Sequence, residues 1–157
     1  MARTVPLPDE AATADLGRRL AAALLRAGPV GAAVLLHGDL GMGKTTMARA
    51  LIRAVLAADG AQDEDVPSPT FTIVQTYTTP AREIWHVDLY RIEEPGELNE
   101  LGLDEAFEEA LVLVEWPDRL GARLPPDRVD VALAAEGAGR RATIAGHGRL
   151  ERIAEHV

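Results

Sequence analysis

The sequence predicts an α/β fold with a mixed sheet, on three observations. A short apolar run, "AAVLLHG" from Ala32, opens directly into a glycine-rich loop and then an amphipathic helix. Further apolar runs alternate with helical stretches. Two pairs of β-rich runs are separated by turn residues, and hairpins of that kind make a purely parallel sheet an unsuitable description. At 157 residues, 47 % of them hydrophobic, the chain suits one domain spanning 1–157 with a core built around one sheet.

Each element has its own signal. From Asp9 to Ala27, Leu16, Leu20 and Leu24 recur four apart behind acidic residues and stop at Gly28-Pro29, the start and stop marks of an amphipathic helix. After the glycine loop, Met47, Leu51, Ala54 and Val55 form one apolar stripe that ends before Gly60. "AQDEDVPSP" reads as a polar loop, and "TFTIVQTYTT" and "REIWHVDLY" as a hairpin turning at Thr79-Pro80. "EEPGELNELGLDEAFEE" predicts one or two short acidic helices, "ALVLVEWP" a buried strand ended by proline, and "DRLGARLPPDR" a loop. "VDVALAAEGAGRRATIAG" then predicts two strands around a glycine turn.

Composition narrows the chemistry. The chain has no cysteine, which excludes disulfides, thiolate catalysis and cysteine-ligated zinc. No apolar run approaches the roughly 18 to 20 residues of a membrane helix, and "MARTVPLPDE" lacks the apolar core of a signal peptide. A soluble cytoplasmic protein without membrane contact is the expectation. A net charge of -9 argues against a broad basic surface for RNA, so any nucleic acid would be held through another chain.

The residues Gly38-Asp39-Leu40-Gly41-Met42-Gly43-Lys44-Thr45-Thr46 contain GxxxxGKT between a predicted strand and a predicted helix, the context a phosphate-binding loop requires. Glycines at 38, 41 and 43 let the backbone approach phosphates, Lys44 can reach the β and γ phosphates, and Thr45 offers a hydroxyl to Mg²⁺ at a helix N-terminus. Hydrolysis also needs a carboxylate at the end of a neighbouring strand. Glu115 stands there, either for that purpose or as a solvated strand-end acid, and Asp88 is either catalytic or the partner of Arg91. Thr70 is a further hydroxyl, which could equally cap a strand. The lack of a guanine-reading Asn/Thr-Lys-x-Asp segment favours ATP over GTP.

Together, "HGDLGMGKTT", "SPTFTIVQTY", "HVDLYRIEEPGELNELGL" and "LVLVEWPDRL" closely resemble the TsaE family, formerly YjeE, over Leu7 to about Arg141. The resemblance implies a three-layer P-loop NTPase-like fold, a mixed sheet with antiparallel strands flanked by helices. It implies an ATPase that, with TsaD and TsaB, supports formation of threonylcarbamoyl on N6 of the adenosine beside the anticodon in tRNAs reading codons that begin with adenine. ATP binding and hydrolysis would reset that complex, tRNA would be met only through it, and the free protein would be a monomer. Residue by residue, it puts residues 38–46 around the phosphates, Thr45 and Glu115 on Mg²⁺, Asp88 in hydrolysis and Thr70 near the γ phosphate. Trp116 would pack beside the site, and Glu10 and Arg140 would lie near the nucleoside, with Arg141 the alternative to Arg140. A small-molecule kinase with Asp88 as base, or a module in which the nucleotide only shapes an interface, would use the same loop.

Overall fold

The computed structural model describes residues 2–28, 31–61, 73–94 and 96–157. Thr70, the rest of the SPTF segment and the polar loop before it lie outside the described residues. In chain order the elements are β1 (Ala2–Leu7), α1 (Glu10–Ala27), β2 (Ala32–His37), α2 (Lys44–Ala58), β3 (Val74–Thr78), β4 (Glu83–Asp88), α3 (Gly96–Leu101), α4 (Leu103–Glu109), β5 (Leu111–Glu115), β6 (Arg128–Glu136) and β7 (Gly139–His147). Short 3₁₀ turns follow β5 at Pro117–Leu120 and β7 at Gly148–Leu150 and Ile153–His156.

Among the described residues, seven strands join one sheet in the order β1-β7-β6-β2-β5-β4-β3. The central strands β6, β2, β5 and β4 are parallel, while β7 and β1 on one side and β3 on the other pair antiparallel. The mixed sheet therefore carries its two hairpins at its flanks, where a two-residue period with a turn suffices. The parallel centre, covered on both faces, is built from the continuous apolar runs Ala32–Leu36 and Leu111–Val114, all buried.

Alternation along the strands divides the core in two. Val34, Leu36, Ile84, Leu111 and Leu113 face α1 and α2, packing against Leu16, Leu20, Leu24, Met47, Leu51 and Val55. Ala33, Leu35, Val87, Val112 and Val114 face α3 and α4, against Leu98, Leu103 and Phe107. Asp9 caps α1, accepting from the Ala12 N–H at 2.8 Å, which satisfies one of the unpaired amides of the first turn.

Two regions go beyond the pattern read from sequence. Residues 2–7 form an edge strand whose register sets Val5 against Ala142 and Leu7 against Arg140; Val5 and Leu7 point into the core and Pro6 sits where an edge tolerates a missing N–H. At the far end, Leu150, Ile153, Ala154 and Val157 are buried on the α1–α2 side of the sheet. The segment expected as a loop after β5 begins with the 3₁₀ turn at Pro117–Leu120. Among the described residues no helix is long and apolar enough to cross a membrane.

Candidate functional site

The site lies at the C-terminal ends of the parallel strands, where β2 gives way to the glycine loop and the N-terminus of α2. Gly38, Gly41 and Gly43 all adopt positive φ, at 146°, 79° and 100°. A side chain would strike backbone at Gly38 and crowd neighbouring side chains at Gly43. A Cβ on Gly38 would fall 2.8 Å from the Leu133 carbonyl oxygen, and one on Gly43 would fall 3.2 Å from Nη1 of Arg140. Between them Asp39 and Leu40 are exposed, Leu40 at 67 %, so the loop crest is open to a ligand.

Lys44 begins α2 with its side chain buried at 5 % exposure. Its ammonium donates to the Gly38 carbonyl oxygen and stands 3.6 Å from the centroid of the Trp116 ring, a cation–π contact. Burial pulls the Lys44 pKa below its ordinary value, against the opposing pull of Glu115, Asp88, Asp39 and Asp118. Trp116 reaches this position through a left-handed backbone at φ 60°, the one non-glycine positive φ among the described residues, with Pro117 next in the chain. The Tyr90 ring packs on it with centroids 5.0 Å apart.

The carboxylates come from two adjacent strands. Parallel pairing of β4 with β5 sets Asp88 beside Glu115, and parity places both, with His86, on the α2 side of the sheet. Glu115 is 3 % exposed, so it is not a solvated strand-end acid. Its Oε1 accepts from the Thr45 hydroxyl at 3.0 Å, and its Oε2 lies 2.7 Å from Nε2 of His86, which is fully buried. Asp88 does not pair with Arg91, which is exposed. Its Oδ1 accepts instead from the Tyr90 N–H at 3.0 Å. Burial raises the Asp88 pKa, with the neighbouring Glu115 charge adding to it, over the opposing Tyr90 hydrogen bond and the Lys44 charge.

Glu10 and Arg140 also converge on the loop. The β1–β7 pairing brings Leu7 opposite Arg140, and α1 starts three residues later, so the two ends of the sequence meet beside α2. The Thr46 hydroxyl donates to Glu10 Oε1 at 3.5 Å, and Arg140 borders Gly43, whereas Arg141 is exposed on the strand's other side. The structure thus assembles Glu10, residues 38–46, Asp88, Glu115, Trp116 and Arg140. Thr70 lies outside the described residues.

His86 had not been singled out from sequence. Its signal was the two-residue spacing in His86-x-Asp88, which puts both side chains on one face once the segment is a strand. As to metal, the donors at the loop are a hydroxyl and a carboxylate oxygen, a hard oxygen set that fits Mg²⁺. Among the described residues there is no cluster of three or more acidic or histidine side chains placed to hold a cation. Mg²⁺ needs no such cage when phosphates and waters complete its shell.

A glycine loop between a parallel strand and a helix, with an acid at the end of the adjacent strand, defines a P-loop-type α/β fold. Comparison with known proteins narrows the class. Residues 7–143 match the family model described as threonylcarbamoyl adenosine biosynthesis protein TsaE, and the chain belongs to that family. A Rickettsia bellii protein named tRNA threonylcarbamoyladenosine biosynthesis protein TsaE is 43 % identical over 100 residues, 64 % of this chain and 67 % of that one. A Bacillus subtilis protein of the same name is 35 % identical over 124 residues, 78 % of this chain and 72 % of its own. The fold is shared with the crystal structure of the Bacillus YdiB protein, at a TM-score of 0.72 and 24 % identity over 98 % of this chain and 91 % of that one.

Proposed function

We propose that the protein is a Mg²⁺-dependent ATPase in tRNA threonylcarbamoyladenosine formation, working in the cytoplasm with TsaD and TsaB and meeting tRNA through them. The observation that carries this reading is the contact of Thr45 with Glu115 at 3.0 Å beside Lys44, at the foot of a glycine cradle. Loop amides and the α2 N-terminus would hold the phosphates, and Lys44 would exchange its Gly38 and Trp116 contacts for the β and γ oxygens. Thr45 and Glu115 are the residues to hold Mg²⁺, which would supply charge neutralisation on the transferred phosphoryl group. Asp88, next to Glu115 and partly buried, would orient a water. Glu10, Thr46 and Arg140 border the loop where the α phosphate and nucleoside would emerge.

The role in a larger assembly rests on the family and on charge. With -9 net charge the protein suits docking on protein rather than gripping tRNA. Turnover of ATP should be measured alone, with small hydroxyl acceptors, and with TsaD, TsaB and tRNA. The expected result is inorganic phosphate release that rises with the partners. A phosphorylated acceptor would instead make the protein a kinase, and turnover indifferent to the partners would remove the coupled role.

A further inference from the structure

We propose that His86 is a positioning residue: its buried imidazole fixes the Glu115 carboxylate in the orientation from which that carboxylate serves the nucleotide's Mg²⁺. The inference rests on reading the site as a Mg²⁺–nucleotide centre. His86 is 0 % exposed on β4, between Ile84 and Asp88 on the same face. In register it stands beside Leu113, two residues before Glu115, so its ring reaches along the sheet to the neighbouring strand's end. There Nε2 lies 2.7 Å from Glu115 Oε2 while Thr45 holds Oε1 at 3.0 Å. The carboxylate is held from β4 at Oε2 and from α2 chiefly at Oε1, the Thr45 hydroxyl also lying 3.3 Å from Oε2.

The other ring nitrogen decides the tautomer. Nδ1 of His86 is buried without a hydrogen-bond partner among the described residues. A hydrogen placed there would be a buried donor with no acceptor, whereas a bare lone pair is the lesser loss. The hydrogen is therefore assigned to Nε2, which donates to Glu115. Packing alone would be served by an aliphatic side chain, as at Ile84 and Leu113, both 0 % exposed in the same layer. Lys44 offers the same carboxylate a competing attraction, since Glu115 is the acid that bears most on it. Without the Nε2 donor the Thr45 hydroxyl alone would hold the carboxylate against turning from the metal position toward the ammonium. A group that orients a metal-binding side chain typically contributes about 10- to 100-fold to metal affinity.

The test compares ADP binding in MgCl₂ and in EDTA, by calorimetry, for the wild type and for His86→Leu, His86→Gln and His86→Asn, with melting curves for each. Glutamine can present an amide N–H near the Nε2 position, while asparagine presents one near Nδ1. The wild type should bind more tightly with Mg²⁺. His86→Leu should keep its EDTA affinity and lose at least about tenfold of the Mg²⁺ gain; His86→Gln should recover most of that gain and His86→Asn should not. If His86→Leu does not melt cooperatively, the glutamine and asparagine variants carry the comparison. A full Mg²⁺ gain in His86→Leu, or equal rescue by asparagine and glutamine, would overturn the positioning role alone. A wild type with no Mg²⁺ gain would overturn the reading of the site, and this inference with it.

Discussion

At Asp88 the molecule holds a carboxylate in an unfavourable place. Burial and the adjacent Glu115 raise its pKa, and no ion pair with Arg91 offsets them. The sign follows from linkage. An acid whose folded pKa lies above its ordinary 3.8 binds protons more tightly when folded, so the fold loses stability as pH rises through that raised value. Asp88→Asn removes the loss and keeps an oxygen to accept from Tyr90. In metal-free buffer at neutral pH the variant should melt above the wild type, with the gap closing as pH falls toward 3.8. With ATP and Mg²⁺ it should bind about normally yet lose turnover, since the defect lies in the transition state. A lower melting point with wild-type turnover per folded molecule would contradict both halves. The choice between Arg91 and Glu115 as the neighbour of Asp88 could not be read from the chain, because it depends on how β4 registers against β5. The glycine loop was legible for the opposite reason: its geometry is local.

The same division holds among elements. The amphipathic helices, the buried parallel strands and the two hairpins announce themselves by period and turn residues. Residues 2–7 and the C-terminal turns do not, because an edge strand with a single face inside shows two apolar positions, and short 3₁₀ turns have no repeat to detect. Other element contacts hinge on one small residue. Gly17 on α1 faces α2 so closely that a Cβ would lie 2.7 Å from the Met47 carbonyl oxygen and 3.1 Å from the Ala50 Cβ. Alanine is the better helix former by about 1 kcal/mol, yet here it would push α1 from the helix that carries the loop. Gly17→Ala should therefore destabilise by about 1–3 kcal/mol, the usual scale of overpacking, and weaken nucleotide binding with it. Denaturant unfolding checks the sign, and a stabilised variant would mean that α1 and α2 can part without loss.

Across the whole molecule, the proposed nucleotide site draws on Glu10 at the start of α1, the loop and Thr46, the ends of β4 and β5, and Arg140 near the end of the matched region. These positions are tied through α1, α2 and the strands from β7 to β4, so a ligand that touches them holds the fold rather than one segment. Binding to the folded state alone stabilises by mass action, about 2.7 kcal/mol at one hundred times the dissociation constant. For a chain of this size each kcal/mol raises the melting temperature by about 2–4 °C, which gives a rise of about 5–11 °C in a single cooperative transition. ADP with Mg²⁺ should produce that rise at one hundred times its dissociation constant. AMP at the same concentration should produce little, because it lacks the β phosphate that Lys44 and the loop amides would grip. In Lys44→Ala the ADP shift should shrink toward the AMP value, since a charge-assisted hydrogen bond contributes about 1.5–3 kcal/mol. Calorimetric melting of the two proteins with each nucleotide makes the comparison. Equal shifts from AMP and ADP, or an undiminished ADP shift in Lys44→Ala, would place the binding energy away from the glycine loop.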